Sequence, residues 1–226
     1  MVRMFIHGLA FLSAALPLAA MFACNSAGAA VPIPNPAVDA PLATTKGRET
    51  AVVAGGCFWG IQAVFEHVKG VESAMSGYSG GAAQTAHYEI VSMGTTGHAE
   101  SVKIIFDPSK ISYGQLLKVF FSVGHDPTEL NGQGPDTGTQ YRSVIFYTSE
   151  QQKRIADAYI AQLGAAKVYP RPIVTQVVPL TEFYPAEDYH QDYATLHPDN
   201  PYIVYNDLPK LANLRRLLPE LCAAKK

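Results

Sequence analysis

Cys57 stands in Gly55-Gly56-Cys57-Phe58-Trp59-Gly60, where a short apolar run, Thr50 to Ala54, gives way to apolar residues at helical spacing. A cysteine at the start of a helix faces unpaired backbone N–H groups, which favour its anion and predict a lowered pKa. A free thiol titrates near pH ~8.5 and is only slightly ionised at neutral pH. Each unit of lowering takes about 1.4 kcal/mol of preferential anion stabilisation, close to the most that a helix dipole supplies. The two glycines let the backbone turn tightly and are expected to leave the sulfur open. Position alone is equally compatible with a buried structural cysteine. Trp59, the one tryptophan of the chain, lies off the stripe formed by Phe58, Ile61, Phe65 and Val68, so packing of its own helix explains it poorly. Beside a thiolate it would wall off a small apolar group; against a neighbouring loop it would be packing only.

Glu100 is the second anomaly. Alternation along Ser101 to Phe106 puts it on the face of Val102, Ile104 and Phe106, while Ser101 and Lys103 point the other way. A carboxyl at the end of an apolar face is partly desolvated, which raises its pKa and keeps a proton available for general acid catalysis. The alternative is a strand-end glutamate whose head reaches water. Tyr88 aligns with Ile90 in a run, Tyr88 to Val91, that reads as a strand, and its hydroxyl is placed either to orient an oxygen or to sit satisfied in the core.

The elements that must position these residues follow from periodicity. The buried strand Thr50 to Ala54 leads into a helix carrying the Phe58/Ile61/Phe65/Val68 stripe. Gly77 to Gly81 reads as a glycine-rich turn, Ser101 to Phe106 as a strand, and Ser112 as the cap of a helix running to about Val123. His125 to Tyr141, with Gly132, Gly134, Pro135 and Gly138, reads as a long loop of the kind that usually carries function. Ser143 to Tyr147 is another strand, and Ser149 with Gln152 forms a capping box for a helix to about Leu163. Ile173 to Leu180 is a strand; the remainder reads as irregular until a helix around Leu211 to Leu221. Strands and helices mix without strict alternation, which predicts an α+β fold, a two-layer sandwich with a mixed sheet and a long irregular C-terminal segment.

Composition bounds the rest. The 226 residues are 48% hydrophobic and 16% charged, with formal net charge −2, so the chain can bury a core and is not disordered. A pI near 6.4 argues against a nucleic-acid partner held by bulk electrostatics. Cys24, Cys57 and Cys222 are too few for a disulfide scaffold. Residues 1–30 have one positive charge (Arg3), an apolar stretch from Leu9 to Ala23 and a small-residue tail, Ala27-Gly28-Ala29-Ala30, the pattern of a secretory signal peptide. That predicts an exported, periplasmic protein with no membrane span after cleavage. An uncleaved anchor and a lipid-modified Cys24 are the alternatives. Residues 31–47 read as a flexible Pro/Ala-rich leader and 48–226 as a single catalytic domain.

The same residues allow other chemistries. Gly77-Tyr78-Ser79-Gly80-Gly81 matches the nucleophile elbow of serine hydrolases, with Asp136 and His190 following in hydrolase order. The elbow requires a helix directly after Ser79, whereas Gly81-Ala82-Ala83 leads toward a strand. His87, His98, His125, His190 and His197 have no paired spacing, and there is no C-x-x-C, so no metal site is expected. A non-catalytic binding module with an adhesive tyrosine surface is the remaining alternative.

Six motifs, in order over Thr50 to Asp207, resemble the A-type peptide methionine sulfoxide reductases: Gly56-Cys57-Phe58-Trp59-Gly60, Gly77 to Gly81, Gly97-His98-Ala99-Glu100, His125-Asp126-Pro127-Thr128, Asp136 to Ser143, and Glu187-Asp188-Tyr189-His190-Gln191. The resemblance implies a two-layer, ferredoxin-like α/β fold and thiol-dependent reduction of the S-epimer of methionine sulfoxide, free or in oxidised proteins, as repair after oxidative stress. It implies Cys57 as nucleophile, Phe58 and Trp59 cradling the substrate methyl group, and Glu100 as proton donor. Tyr88 and Tyr141 would hydrogen-bond the sulfoxide oxygen, with Asp136 assisting. Cys57 would be left as a sulfenic acid, which condenses readily with a second thiol. Many relatives carry that thiol in a glycine-rich tail soon after the His-Gln segment. Here Tyr193 to Leu221 contains none, leaving Cys222 as a resolving candidate if the tail folds back over Cys57. Otherwise an external dithiol, thioredoxin-like, reduces Cys57, and no bound cofactor is expected.

Overall fold

The computed structural model describes Met1 and residues 30–223; apart from Met1 and Ala30, the expected signal peptide lies outside the described residues. In chain order the elements are β1 (Glu49–Ala54), α1 (Phe58–Glu66), β2 (Val71–Ser79), α2 (Tyr88–Val91), β3 (Ala99–Phe106), α3 (Tyr113–Val119), β4 (Gly132–Gln133), β5 (Asp136–Thr137), β6 (Val144–Tyr147), α4 (Glu150–Ala165), β7 (Gln176–Pro179), β8 (Phe183–Pro185), α5 (Tyr193–Leu196) and α6 (Leu208–Leu217). Six strands form one sheet in the order β7-β6-β1-β3-β2-β8. Among the described residues only the β6–β7 pair is parallel, so the sheet is mixed.

Period-two alternation sends Ala51, Val53, Val102, Ile104, Phe106 and Ile145 to one face, where α1, α3 and α4 cover them. Val52, Ala54, Ala99, Val144, Phe146 and Phe183 form a smaller cluster on the other. The expected stripe of α1 is buried throughout, Phe58, Ile61, Phe65 and Val68 all at 2% exposure or less. Each such side chain contributes about 1.5–3 kcal/mol by leaving water. Ser112 caps α3 with a complete box, accepting from the Gln115 N–H while its own N–H donates to the Gln115 side chain. At α4 the box is half formed: Ser149 accepts from the Gln152 N–H, but the Gln152 carbonyl oxygen is used by Thr148.

Four expectations are corrected. Tyr88 to Val91 is a helical turn, with the His87 carbonyl accepting from the Ile90 and Val91 N–H groups; four residues are too few to tell a period of 2 from one of 3.6. Gly77 to Ser79 continues β2, because β3 on one side and β8 on the other supply ladder partners, and the turn begins at Gly80 (φ +98°). Residues 31–47 do not behave as a loose leader: Ile33 is buried, the Val31 N–H donates to the Ser122 carbonyl, and the Asp39 carboxylate accepts from the Ser112 hydroxyl and the Gly114 N–H at the start of α3. The C-terminal segment is largely short helical pieces, a turn at Asp188–His190, α5, a π-helical turn at Ile203–Asp207 and α6.

Candidate active site

Antiparallel pairing brings the candidate residues to one end of the sheet. In the β1–β3 ladder Val53 faces Val102, so the chain leaving β1 for Cys57 passes the start of β3, where Glu100 sits. Ala54 pairs with Val144 of β6, which brings Tyr141 to the same end, and the Gly56 N–H donates to the Tyr141 carbonyl at 3.1 Å. Gly55 and Gly56 are required by close approach. A methyl group at Gly55 would lie 2.8 Å from the His125 ring, and one at Gly56 (φ +91°) 2.7 Å from the Gln133 side chain.

Cys57 occupies the cap position of α1 and is 8% exposed. The structure corrects two expectations about it: the sulfur is largely covered, and its pKa is raised rather than lowered. Burial is the main cause, followed by the Glu100 and Asp207 carboxylates; the Trp59 backbone N–H and the Lys210 ammonium pull the other way. Desolvation of the anion outweighs the helix terminus. Glu100, 2% exposed, is pushed up to about 8, chiefly by burial, against the pull of the Phe58 N–H, which donates to its carboxylate at 3.0 Å. At neutral pH this carboxyl therefore holds a proton beside the sulfur.

Phenols surround that pair. Tyr88 and Tyr141 are raised by burial and by nearby Glu100, Cys57 and Asp136, so both keep their protons. Asp136, on β5, is also raised by burial and accepts from the Tyr202 hydroxyl. Trp59 packs more than its own helix did suggest: it stacks on Tyr193 with ring centroids 3.9 Å apart, meets Tyr202 edge-on and donates from Nε1 to His190 Nδ1 at 3.2 Å. That bond puts the His190 proton on Nε2. Phe58 is 1% exposed and packs on Tyr78 and His190; it backs the site, while half-buried Trp59 fronts it. The arrangement combines a nucleophilic sulfur, a neutral acid, hydroxyl donors for an oxygen and an apolar wall.

Two candidates are not brought together with these. Cys222 pairs with Val68 in an isolated bridge, and the neighbouring backbone is tied to His67 and Lys69. It lies past the far end of α1, whose nine residues separate it from Cys57 by about 14 Å of helix, against about 7 Å as the limit for a disulfide. Ser79 lies within β2, paired with Ala99 and Phe183 and fully buried, which overturns the nucleophile-elbow reading. Among the described residues no group of three or more His, Cys, Asp and Glu is placed to hold a metal ion, and no helix is long and apolar enough to cross a membrane.

Sequence reasoning assigned no role to Tyr193, Tyr202, Asp207 or Lys210, and none to His190 in this setting. All come from the C-terminal segment, more than 130 residues from Cys57, and no local periodicity signals their arrival there.

A family model for peptide methionine sulfoxide reductase matches residues 49–220. The chain is 64% identical over 179 residues to the peptide methionine sulfoxide reductase MsrA 2 of Mesorhizobium japonicum, covering 79% of this chain and 92% of the relative. To MsrA of Thermus thermophilus it is 48% identical over 174 residues, covering 77% and 97%. Among solved structures, methionine sulfoxide reductase A of Corynebacterium diphtheriae matches with TM-score 0.59 and 34% identity over 76% of this chain and 85% of that one. Reduced Mxr1 of Saccharomyces cerevisiae matches with TM-score 0.62 and 28% identity, over 74% and 98%.

Proposed function

The chain belongs to the peptide methionine sulfoxide reductase family, and from that premise we propose that Cys57 reduces the S-epimer of methionine sulfoxide with Glu100 as its proton donor. The sulfoxide oxygen enters among the hydroxyls of Tyr88 and Tyr141 and the Glu100 carboxyl, and the methyl group lies against Trp59. The Cys57 sulfur bonds to the sulfoxide sulfur while Glu100 protonates the oxygen, and the thiol proton restores Glu100. The oxygen then passes to Cys57 as the S–S bond breaks. Methionine leaves with its sulfur reduced by two electrons, and Cys57 remains as a sulfenic acid, oxidised by two. Oxygen leaves a sulfoxide poorly unless protonated, so nucleophile and acid act together. Asp136 supports the polar side through Tyr202.

The observation that carries this reading is the buried Glu100 carboxyl, fixed by the Phe58 N–H next to the cap cysteine, where burial pushes it up to about 8. Because Cys222 is tied to the other end of α1, the recycling route is an external, thioredoxin-like dithiol. It reduces the sulfenic acid, releasing water and becoming a disulfide. Free methionine sulfoxide and oxidised proteins are the substrates. The N-terminal sequence supports export to the periplasm, where this chemistry repairs oxidised proteins.

Mass spectrometry after one turnover without reductant tests the reaction. One oxygen atom is expected on Cys57, and Cys57→Ser should form no methionine. Methionine formed by that variant would refute the nucleophile, and a Cys57–Cys222 bridge would replace the external dithiol by the tail as the resolving partner.

A further inference from the structure

Gly60 lies three residues after Cys57 in the first turn of α1, and two opposite charges close over it. A methyl group at Gly60 would lie 2.1 Å from Asp207 Oδ1 and 2.7 Å from Lys210 Nζ. Nζ donates to Oδ1 at 3.1 Å. The residues are 1% and 9% exposed, and Asp207 Oδ2 has no hydrogen-bond partner. Taking two charges out of water costs several kcal/mol each and is offset only when every remaining lone pair is satisfied. This pair fails that condition, so stability does not account for it. Its position does. The titratable and charged groups bearing on the Cys57 sulfur are Glu100 from β3, Tyr88 from α2, Tyr141 from the turn before β6, Tyr202 and Asp207 from the π-helical region, and Lys210 from α6, and the Trp59 backbone N–H also favours its anion. Lys210 is the one cation in that set.

We propose that Lys210 is a positioning residue for Cys57: its ammonium, anchored over Gly60 by Asp207, is the counter-charge against which the sulfur ionises, and Asp207 sets how much of that charge the sulfur feels. This rests on Cys57 being the nucleophile. During attack the sulfur passes through its anion in a site otherwise lined by carboxyls and phenols, where a lone thiolate would be costly. The two halves of the pair act with opposite sign on the sulfur, Asp207 raising its pKa and Lys210 lowering it, so the position of the ammonium over the first turn of α1 sets how far the carboxylate is offset there.

The test is the pH dependence of Cys57 alkylation by iodoacetamide in the full-length enzyme, read on the Cys57 peptide so that Cys222 is scored apart. Lys210→Met is expected to move the midpoint up. Lys210→Arg should restore it toward the parent, and Asp207→Asn should move it down. If Lys210→Met does not fold, the downward shift in Asp207→Asn decides alone. Midpoints that coincide with the parent, or that move in the same direction for both charge removals, would overturn the proposal. Alkylation needs no sulfoxide, so absent sulfoxide turnover with intact opposite shifts would sink the reductase reading, whereas intact turnover with unshifted midpoints would sink only this one.

Discussion

Glu100 raises the Cys57 pKa and is itself held up by burial and by the Asp136 and Asp207 carboxylates, yet the reaction needs Glu100 to give a proton and Cys57 to lose one. The conflict resolves if Glu100 is neutral when the sulfur ionises, since a protonated carboxyl no longer opposes the thiolate. Because Glu100 is held up to about 8, it stays protonated below that pH and loses its proton above it. The sulfoxide step should therefore fall as pH rises through about 8. Glu100→Gln should slow that step by about 10²-fold or more and abolish the alkaline fall. The same substitution removes a carboxylate beside the sulfur, so alkylation of Cys57 should shift to lower pH. Stopped-flow turnover and alkylation on one preparation check both; a parallel loss of the two rates would mark Glu100 as structural. The apolar alternation of β3 made this carboxyl legible in the sequence. The Cys57 environment was not legible, because the carboxylate of Asp207 and the burying side chains arrive from distant segments.

At the scale of elements, α1 holds the site by its two ends. Its first turn carries Cys57, Phe58 and Gly60, and α6 closes over Gly60, where the side chain must be hydrogen. Gly60→Ala should push Asp207 and Lys210 aside and destabilise the protein by about 1–3 kcal/mol. Gly164, near the end of α4, is the control: nothing lies within 4 Å of an added methyl group. Gly164→Ala should stabilise by about 0.5–1 kcal/mol, since alanine loses less backbone freedom in a helix. Chemical denaturation of both variants checks the opposite signs. The strands and helices with clear periodicity, β1, α1, β3 and α3, were readable to within a residue or a few. Tyr88–Val91 was not, because a four-residue element has no period and is fixed by its neighbours: the Tyr88 N–H donates to Glu187, 99 residues away.

For the whole molecule, the proposed export and the packing of the fold meet in the N-terminal segment. If the signal is removed after Ala30, the mature chain begins at Val31, whose N–H donates to Ser122, two residues before the buried Ile33. The proposed cleavage therefore removes the targeting segment and keeps the packed one. Intact mass and N-terminal sequencing of the protein from the periplasmic fraction should show a chain starting at or near Val31. A full-length chain confined to the cytoplasm would refute export.

Local chemistry was written into the sequence: Cys57 at a strand-to-helix junction, Glu100 on an apolar face, Trp59 off its helix stripe, and motifs in family order. These depend on residues a few positions apart, where spacing fixes geometry. What the tertiary structure decided was the company those residues keep. Tyr202 on Asp136, His190 and Tyr193 on Trp59, and Lys210 over Gly60 are contacts across more than 60 residues of chain, and no periodicity encodes them. Electrostatics follows company rather than spacing, so the ionisation of Cys57 reversed its expected direction once burial and the C-terminal charges were in place.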